Sequence, residues 1–469
     1  MTQSREALTI MAESGPTFSK AGTLAVPRWA ALLAAAVFVV SLVVTGLVVY
    51  SLTSCPPAPA SPDEAARASG ALDAAGPGGA KDKIDVRLPR SVRPVSYEIS
   101  LLPFIKGNFS FRGEVAIILN VTEATNNVTL HAHELAVDES SVALTLQDVD
   151  ASTGVPLGRQ SRDPKRQFYV IKTKMPLKPG TYRIKLKFTG ILSDDLQGFY
   201  RSSYIERNVT RWVAVTQFQS TDARRAFPCF DEPALKARFK LHLARPVDMT
   251  TVSNMPQQRN STRVDGVPGY VWDHYEESVP MSTYLVAFAV TDFESRRSSM
   301  RNGTFAVWTR SEAVDQAKYA LEIGPRVLEY FEKYFNIRYP LPKMDMMALP
   351  DFAAGAMENW GLITYREIAM LYQEGVSMTS NKQQVATVVA HELAHQWFGN
   401  LVTPSWWSDL WLNEGFASYV EYFGVNAVEP SWLILDQFVV SEVQMVFGLD
   451  ALQSSHPVSI EVGNPDEIN

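Results

Sequence analysis

The sequence predicts a multidomain chain: an N-terminal, all-β antiparallel domain followed by a mixed α/β, mostly helical domain, both carried behind one membrane span. Three observations predict it. An uncharged apolar run lies near the N-terminus; a long stretch with period-two hydrophobicity follows; from about residue 291 the spacing becomes helical. Composition sets the outer limits. With 46% hydrophobic and 20% charged residues among 469, the chain holds enough apolar material for cores of its own, which excludes a disordered chain. A net charge of −7 argues against nucleic acid as a partner, because phosphate binding needs a basic face. Two cysteines cannot build a disulfide scaffold.

The N-terminal elements come first. Residues 1–28 read as a cytoplasmic tail and 29–50 as a transmembrane helix, since Trp29–Tyr50 carries no charge. A helix of that length spans roughly 33 Å, enough for a hydrocarbon core of ~30 Å. Arg5, Lys20 and Arg28 precede the run and no Lys or Arg follows until Arg67, so the tail stays inside and the rest lies outside. Residues 51–83, rich in Ala, Pro, Gly and Ser, read as a stalk. Asn-x-Ser/Thr sequons at Asn108, Asn120, Asn127, Asn208, Asn260 and Asn302 all follow the span, as glycosylation of an ectodomain requires. Cys229 reads as a small buried hydrophobe. Cys55 either bridges to a second copy, giving a homodimer, or stays a free thiol.

Residues 84–290 read as the β domain. Ile184, Leu186 and Phe188 alternate with lysines, and so do Phe239, Leu241 and Leu243 with Lys240 and His242; one face of each strand is therefore buried. Residues 291–469 read as the second domain. Val314, Ala317, Leu321, Leu328, Phe331 and Phe335 fall on helical spacings behind Ser311, placed to cap. Met344, Met346 and Ala348 alternate as a short strand. Ser380–Gln383 reads as a capping box ahead of Val385, Val388 and Val389, in a helix that Gly399 ends. Further helices are expected over 408–423 and 432–447.

The chemistry concentrates in His391-Glu392-Leu393-Ala394-His395. Residues four apart on a helix share a face, so both imidazoles can bind one Zn²⁺ while Glu392 takes a proton from water. With 7 His in the chain, chance yields this pattern about once in a hundred sequences or less. Zinc needs a third protein ligand and an open position. Phe398 and Leu401 stand where a metzincin has Gly and His, which excludes that class. Glu414, in Trp411-Leu412-Asn413-Glu414-Gly415-Phe416-Ala417, is the remaining carboxylate candidate. Bracketed by Trp406, Trp407, Trp411 and Phe416, it is expected to be buried and to need a cation. Asp409 is a candidate acceptor behind the histidines.

These motifs, with Gly355-Ala356-Met357-Glu358-Asn359 and Thr216-Gln217-Phe218-Gln219-Ser220 before them, resemble the M1 family of zinc aminopeptidases (gluzincins). The resemblance covers everything after the stalk and implies a thermolysin-like catalytic domain with one Zn²⁺ per subunit. It implies that Glu358 grips the substrate's free α-ammonium, with Gln219 and Glu414 assisting, while Gly355, Ala356, Met357 and Asn359 lie along the substrate. It implies a type II plasma-membrane enzyme with an extracellular catalytic part. Gln217, Gln219, Ala353 and Ala354 resemble the neutral-residue members, so peptides with a free N-terminus and a neutral first residue are the expected partners. The family also places a transition-state tyrosine roughly ninety residues beyond the first ligand His. The chain stops at Asn469, so the expectation is a truncated product that lacks this oxyanion donor and exposes apolar surface. The alternative is a catalytically inactive truncated cell-surface glycoprotein or receptor. A thermolysin-like endopeptidase is disfavoured by Glu358 and Gln219.

Overall fold

Strands form where the alternation places them. The structure, a computed structural model, describes residues 84–147, 153–300 and 303–468. Gly180–Ile191 is one strand, with Ile184, Leu186 and Phe188 buried and Lys185 and Lys187 exposed. It belongs to an eight-stranded sheet, ordered Thr262–Arg263, Tyr270–His274, Arg238–Pro246, Val92–Pro103, Ser110–Val121, Gly180–Ile191, Ala136–Leu146, Thr153–Gly154. A four-stranded sheet (Thr250–Ser253, Phe288–Thr291, Val209–Gln217, Gly198–Glu206) and a three-stranded one (Thr125–His131, Phe168–Leu177, Leu157–Asp163) complete the β-rich part. One expectation fails: the part is not wholly antiparallel. Val92–Pro103 runs parallel to Arg238–Pro246, Tyr97 opposite Phe239. No hairpin joins these distant strands, so no turn fixes their direction.

Aromatic side chains fill the space between these sheets. Phe111 meets Phe188 and Phe199 edge to face, and Phe199 meets Phe288, the tilted geometry that ring quadrupoles prefer. Glycine makes this possible at two points. A Cβ on Gly113 would stand 2.3 Å from the Phe188 ring, and one on Gly190 2.3 Å from the Phe111 ring.

The second part opens with a five-stranded sheet, ordered Glu294–Met300, Gly303–Thr309, Lys343–Leu349, Leu362–Arg366, Ala356–Met357. Its three middle strands are parallel. Every residue of Lys343–Leu349 is buried, so the Met344/Met346/Ala348 alternation marks a strand covered on both faces rather than a half-exposed one. Three helices follow the pattern set by their apolar stripes: α1 (Lys318–Phe335), α2 (Thr379–Ala394) and α3 (Trp411–Val428). They meet closely. A Cβ on Gly424 of α3 would lie 2.8 Å from the Phe331 ring of α1 and 3.3 Å from Ala390 of α2.

The helix ends differ from expectation for physical reasons. Ser311 does not cap a helix; its Oγ donates to Glu206 at 2.5 Å. Residues Ser311–Ala317 form a 3-10 turn instead, in which Ala313 and Ala317 are buried and Val314 is half-exposed. The reciprocal capping bond of α2 falls two residues early, from the Met378 backbone N–H to Asn381 Oδ1 at 3.1 Å. That helix ends at Ala394 rather than at Gly399, and His395 is its C-cap. Beyond α3 the chain continues as Ile434–Phe438, a π turn over Val439–Val443, and Gln444–Asp450; Met445, Phe447, Leu449, Val458 and Ile460 stay exposed.

The tail, the span and the stalk, with Cys55 and Asn302, lie outside the described residues. Among the described residues no helix is long and apolar enough to cross a membrane. Asn108, Asn120, Asn208 and Asn260 are exposed; Asn127 is half-buried, its Oδ1 accepting from Thr129 Oγ1. Cys229 is buried and unpaired.

Candidate metal centre

The last turn of α2 carries His391 and Glu392, and His395 sits at its end. The two imidazoles face each other with Nε2 atoms 2.9 Å apart. Each Nε2 lies 3.5 Å from Oε2 of Glu414, in the first turn of α3. The outer nitrogens are fixed. His395 Nδ1 is 2.9 Å from the Phe398 carbonyl oxygen, which only accepts, so that nitrogen carries the proton. His391 Nδ1 donates to Glu421 Oε2 at 2.7 Å. Both Nε2 lone pairs are thereby left aimed into one space beside a carboxylate oxygen.

The charge balance of this space is unusual. Four carboxylates (Glu358, Glu392, Glu414, Glu421) surround two imidazoles. Burial opposes a positive charge on His391, yet hydrogen bonds to Glu414 and Glu421 lift its pKa to about 11. Burial also opposes charge on His395, but Glu358 and Glu414 raise it to about 9. Burial works against ionising Glu414 too, and the two histidines hold it below the usual carboxylate range. Glu392 is pushed up to about 8, and Glu358 upward, chiefly by burial. The raised values of His391, His395, Glu358 and Glu392 say that the cluster favours added positive charge, and the lowered one of Glu414 that its carboxylate stays ionised beside it. Two imidazole nitrogens and a carboxylate are the donor set of a divalent zinc-type ion, so the residues present fit such a group.

Glu414 is less enclosed than its aromatic neighbours suggest. Its side chain is 46% exposed, because Trp411 and Phe416 turn outward and only Trp407 is buried. Phe416 stacks on Phe398 at 4.9 Å, so the aromatics wall the loop between α2 and α3 rather than covering the carboxylate. The acceptor behind His391 is Glu421, not Asp409. Glu421 follows Glu414 by seven residues, two helical turns on the same face, and that spacing was the available signal.

Glu358 is 3% exposed and Glu392 5% exposed, and among the described residues neither Glu358 Oε1 nor Glu392 Oε2 has a hydrogen-bond partner. A buried carboxylate oxygen without a donor awaits one. Glu358 follows the edge strand Ala356–Met357, and its backbone oxygen accepts from Asn400 Nδ2 at 2.8 Å, which ties this loop to the one after His395. Arg366 holds the approach: its backbone N–H donates to Gly355 O, its guanidinium to Phe352 O and Ala353 O. Gly355 is exposed, Ala356 half-buried and Met357 buried. Asn359 is turned inward, donating to Thr364 Oγ1. Gln219 follows the strand Val209–Gln217, half-exposed, and its side chain has no hydrogen-bond partner among the described residues. The structure thus gathers His391, His395 and Glu414 at one point, with Glu358 and Glu392 electrostatically linked to them; it gives no contact between Gln219 and that group.

The β-rich part supplies a wall that sequence reasoning missed. Tyr284 OH donates to Gly399 O at 3.0 Å and receives Asn413 Nδ2 at 3.4 Å, and its ring packs edge-on against Trp407. Lys236 Nζ donates to the carbonyls of Asn400 and Leu401.

Comparison with known proteins agrees with this architecture. Residues 93–285 match the peptidase M1 N-terminal domain, and 319–469 the peptidase family M1 domain. The chain is 45% identical over 393 residues to aminopeptidase Ey of Gallus gallus, covering 82% of this chain and 40% of that one. It is 44% identical over 395 residues to aminopeptidase N of Bos taurus, with 82% and 41% covered, and 42% identical over 392 residues to glutamyl aminopeptidase of Bos taurus, with 82% and 40% covered. The chain therefore spans about two fifths of the length of these curated relatives. With an N-terminal and a catalytic-type domain both matched in order, the chain belongs to peptidase family M1.

Proposed function

We propose that this chain is the metal-binding part of a zinc aminopeptidase, anchored as a type II protein in the plasma membrane and acting outside the cell on peptides with a free N-terminus. The observation that carries the reading is the convergence of His391 Nε2, His395 Nε2 and Glu414 Oε2 beside two buried carboxylate oxygens, of Glu358 and Glu392, without a hydrogen-bond partner among the described residues. His391, His395 and Glu414 would hold one Zn²⁺, which when bound supplies a Lewis acid to the scissile carbonyl and to the attacking water.

The other roles belong to the chain itself. Glu392, with its raised proton affinity, accepts the water's proton and returns it to the leaving amine. Glu358 gives the α-ammonium its counter-charge, assisted by Gln219 and Glu414. A cation anchor at a fixed place admits only the first peptide bond, which makes the cleavage exo. Gly355, Ala356, Met357 and Asn359 then border the peptide backbone. A thermolysin-like arrangement of the helical part and a preference for neutral first residues complete the reading. The preference rests on Gln217, Gln219, Ala353 and Ala354; identity does not separate it from an acidic preference, since 44% and 42% are nearly equal. Exposed Asn108, Asn120, Asn208 and Asn260 are consistent with glycosylation.

Two measurements test this. Elemental analysis of the natively folded full chain is expected to find one zinc, lost in His395→Ala; absence of zinc from the wild type overturns the reading. Hydrolysis of a free-amine peptide is expected to exceed that of its N-acetylated twin by at least about 30-fold, the lower end of what an unpaired buried charge costs. Zinc without turnover of either peptide selects the inactive surface glycoprotein.

A further inference from the structure

A second pair of histidines lies on the eight-stranded sheet, away from the helices. His242 on Arg238–Pro246 and His274 on Tyr270–His274 are direct cross-strand partners. Their rings stand 4.8 Å apart at 70°, with Nδ1 facing Nδ1 at 2.7 Å. Each outer nitrogen has its own oxygen neighbour: His242 Nε2 lies 3.4 Å from Glu98 Oε1, and His274 Nε2 lies 2.9 Å from Thr262 Oγ1. The pair opens into a cavity of about 460 Å³ bordered by Ser100, Glu114, Lys187 and Trp272, large enough to admit solvent.

The proton inventory decides what this pair can do. The Glu98 carboxylate only accepts, which places the His242 proton on Nε2 and leaves Nδ1 bare. The Thr262 hydroxyl can donate or accept. When it donates to His274 Nε2, the His274 proton sits on Nδ1, between the rings. When it accepts, that proton moves to Nε2, the ring stays neutral, and two bare Nδ1 atoms face one another. Only a cation between them makes the second state favourable. Both outer contacts follow the rule that a ligating histidine has its far nitrogen hydrogen-bonded. Two nitrogen ligands on one ion, at bonds of about 2.0 Å, stand about 2.8 Å apart at a right angle and about 3.3 Å apart at the tetrahedral angle. Neither this pair at 2.7 Å nor the helical pair at 2.9 Å stands at the tetrahedral spacing, so the distance admits one shared ion without selecting which. Copper heads the affinity order for imidazole. Lys187 and Arg112 at the cavity oppose a cation; Glu98, shared with Arg183 at 3.4 Å, and Glu114, engaged by Lys185 at 2.7 Å, offset them only in part.

We propose that His242 and His274 form a second, solvent-open metal site that takes one Cu²⁺ through the two Nδ1 atoms, with water completing the coordination. It is independent of the zinc reading. The test is equilibrium dialysis of the full chain, first saturated with Zn²⁺, against CuCl₂, with elemental analysis and electron paramagnetic resonance. One additional copper is expected, with coupling to two imidazole nitrogens. In His274→Asn and His242→Asn that copper should bind at least about tenfold more weakly while bound zinc is unchanged. His395→Ala, which strips the first site, should leave copper uptake intact, so the two readings fail separately. Absence of additional copper in the wild type overturns the proposal, as does an unchanged spectrum in His274→Asn. Should His242→Asn fail to fold, the wild-type spectrum and the strand-end variant His274→Asn still decide.

Discussion

Two pairs of histidines in this chain place ring nitrogens face to face, 2.9 Å apart in one case and 2.7 Å in the other, yet they are built in opposite ways. His391 and His395 stand one helical turn apart, so their convergence is a property of five consecutive residues. His242 and His274 meet through strand register, 32 residues apart in sequence. The first pair also has a carboxylate facing it and acidic groups packed behind it; the second has one exposed glutamate and a hydroxyl. Convergence of donors is common to both, and His391 and His242 are similarly exposed, at 20% and 15%; surplus negative charge and the enclosed acids Glu358 and Glu392 belong to the helical pair. Enclosure turns an ion-binding pair into a candidate catalyst, because buried charges act there at full strength.

The largest effect expected from breaking that contrast is at Glu392. Glu392→Gln keeps the side chain's size and removes its basicity. Zinc content should stay at the wild-type level while peptide hydrolysis falls by about 10²- to 10⁴-fold. Turnover within a few-fold of wild type would show that enclosure supplies no proton acceptor there. The next effect separates the supports behind the two pairs. Glu421 meets His391 at 2.7 Å with its side chain 10% exposed, whereas Glu98 meets His242 at 3.4 Å with 48% exposed. Glu421→Gln should weaken zinc binding by about 10- to 100-fold. Glu98→Gln should weaken copper binding by less than about fivefold, since solvent already screens that contact. Competition with a chromophoric chelator measures both, and equal losses would erase the distinction.

What could be read from the sequence follows the same division between local and non-local. Alternation in Ile184–Phe188 revealed which face is buried, because period two is written in adjacent residues. It could not reveal that Val92–Pro103 pairs in parallel with Arg238–Pro246, since a strand's pattern is the same whichever direction its partner runs. Helices α1 and α2 were visible as stripes, but their ends were not: the 3-10 turn before Lys318 changes the period, and Asn381 caps from inside. At the site, His391, His395 and Glu414 lie within 24 residues and were legible. Glu421 was legible in principle from its spacing. Tyr284 was not, because nothing in its own surroundings says that it will lie against Gly399. The copper pair was equally silent, each histidine being a lone polar residue on a strand.

Tyr284 offers the smallest effect and the finest test of enclosure, since it is the β-rich part's contribution to the helical pair's wall. Its hydroxyl donates to Gly399 O, but that carbonyl also accepts from Thr403 Oγ1 at 2.7 Å. Tyr284→Phe therefore leaves no orphaned acceptor on the loop; it removes one neutral hydrogen bond and the weak 3.4 Å contact from Asn413. The buried ring and its packing on Trp407 remain. A loss of about 1–2 kcal/mol in urea unfolding is expected, since the buried Asn413 Nδ2 also loses its acceptor, with zinc affinity falling no more than about fivefold, because His395 is held by Phe398 O rather than by Gly399. A loss of several kcal/mol would mean that the wall positions the metal ligands directly. In that case the helical pair would depend on distant residues as fully as the cross-strand pair does, and the contrast between a local and a register-built site would no longer hold.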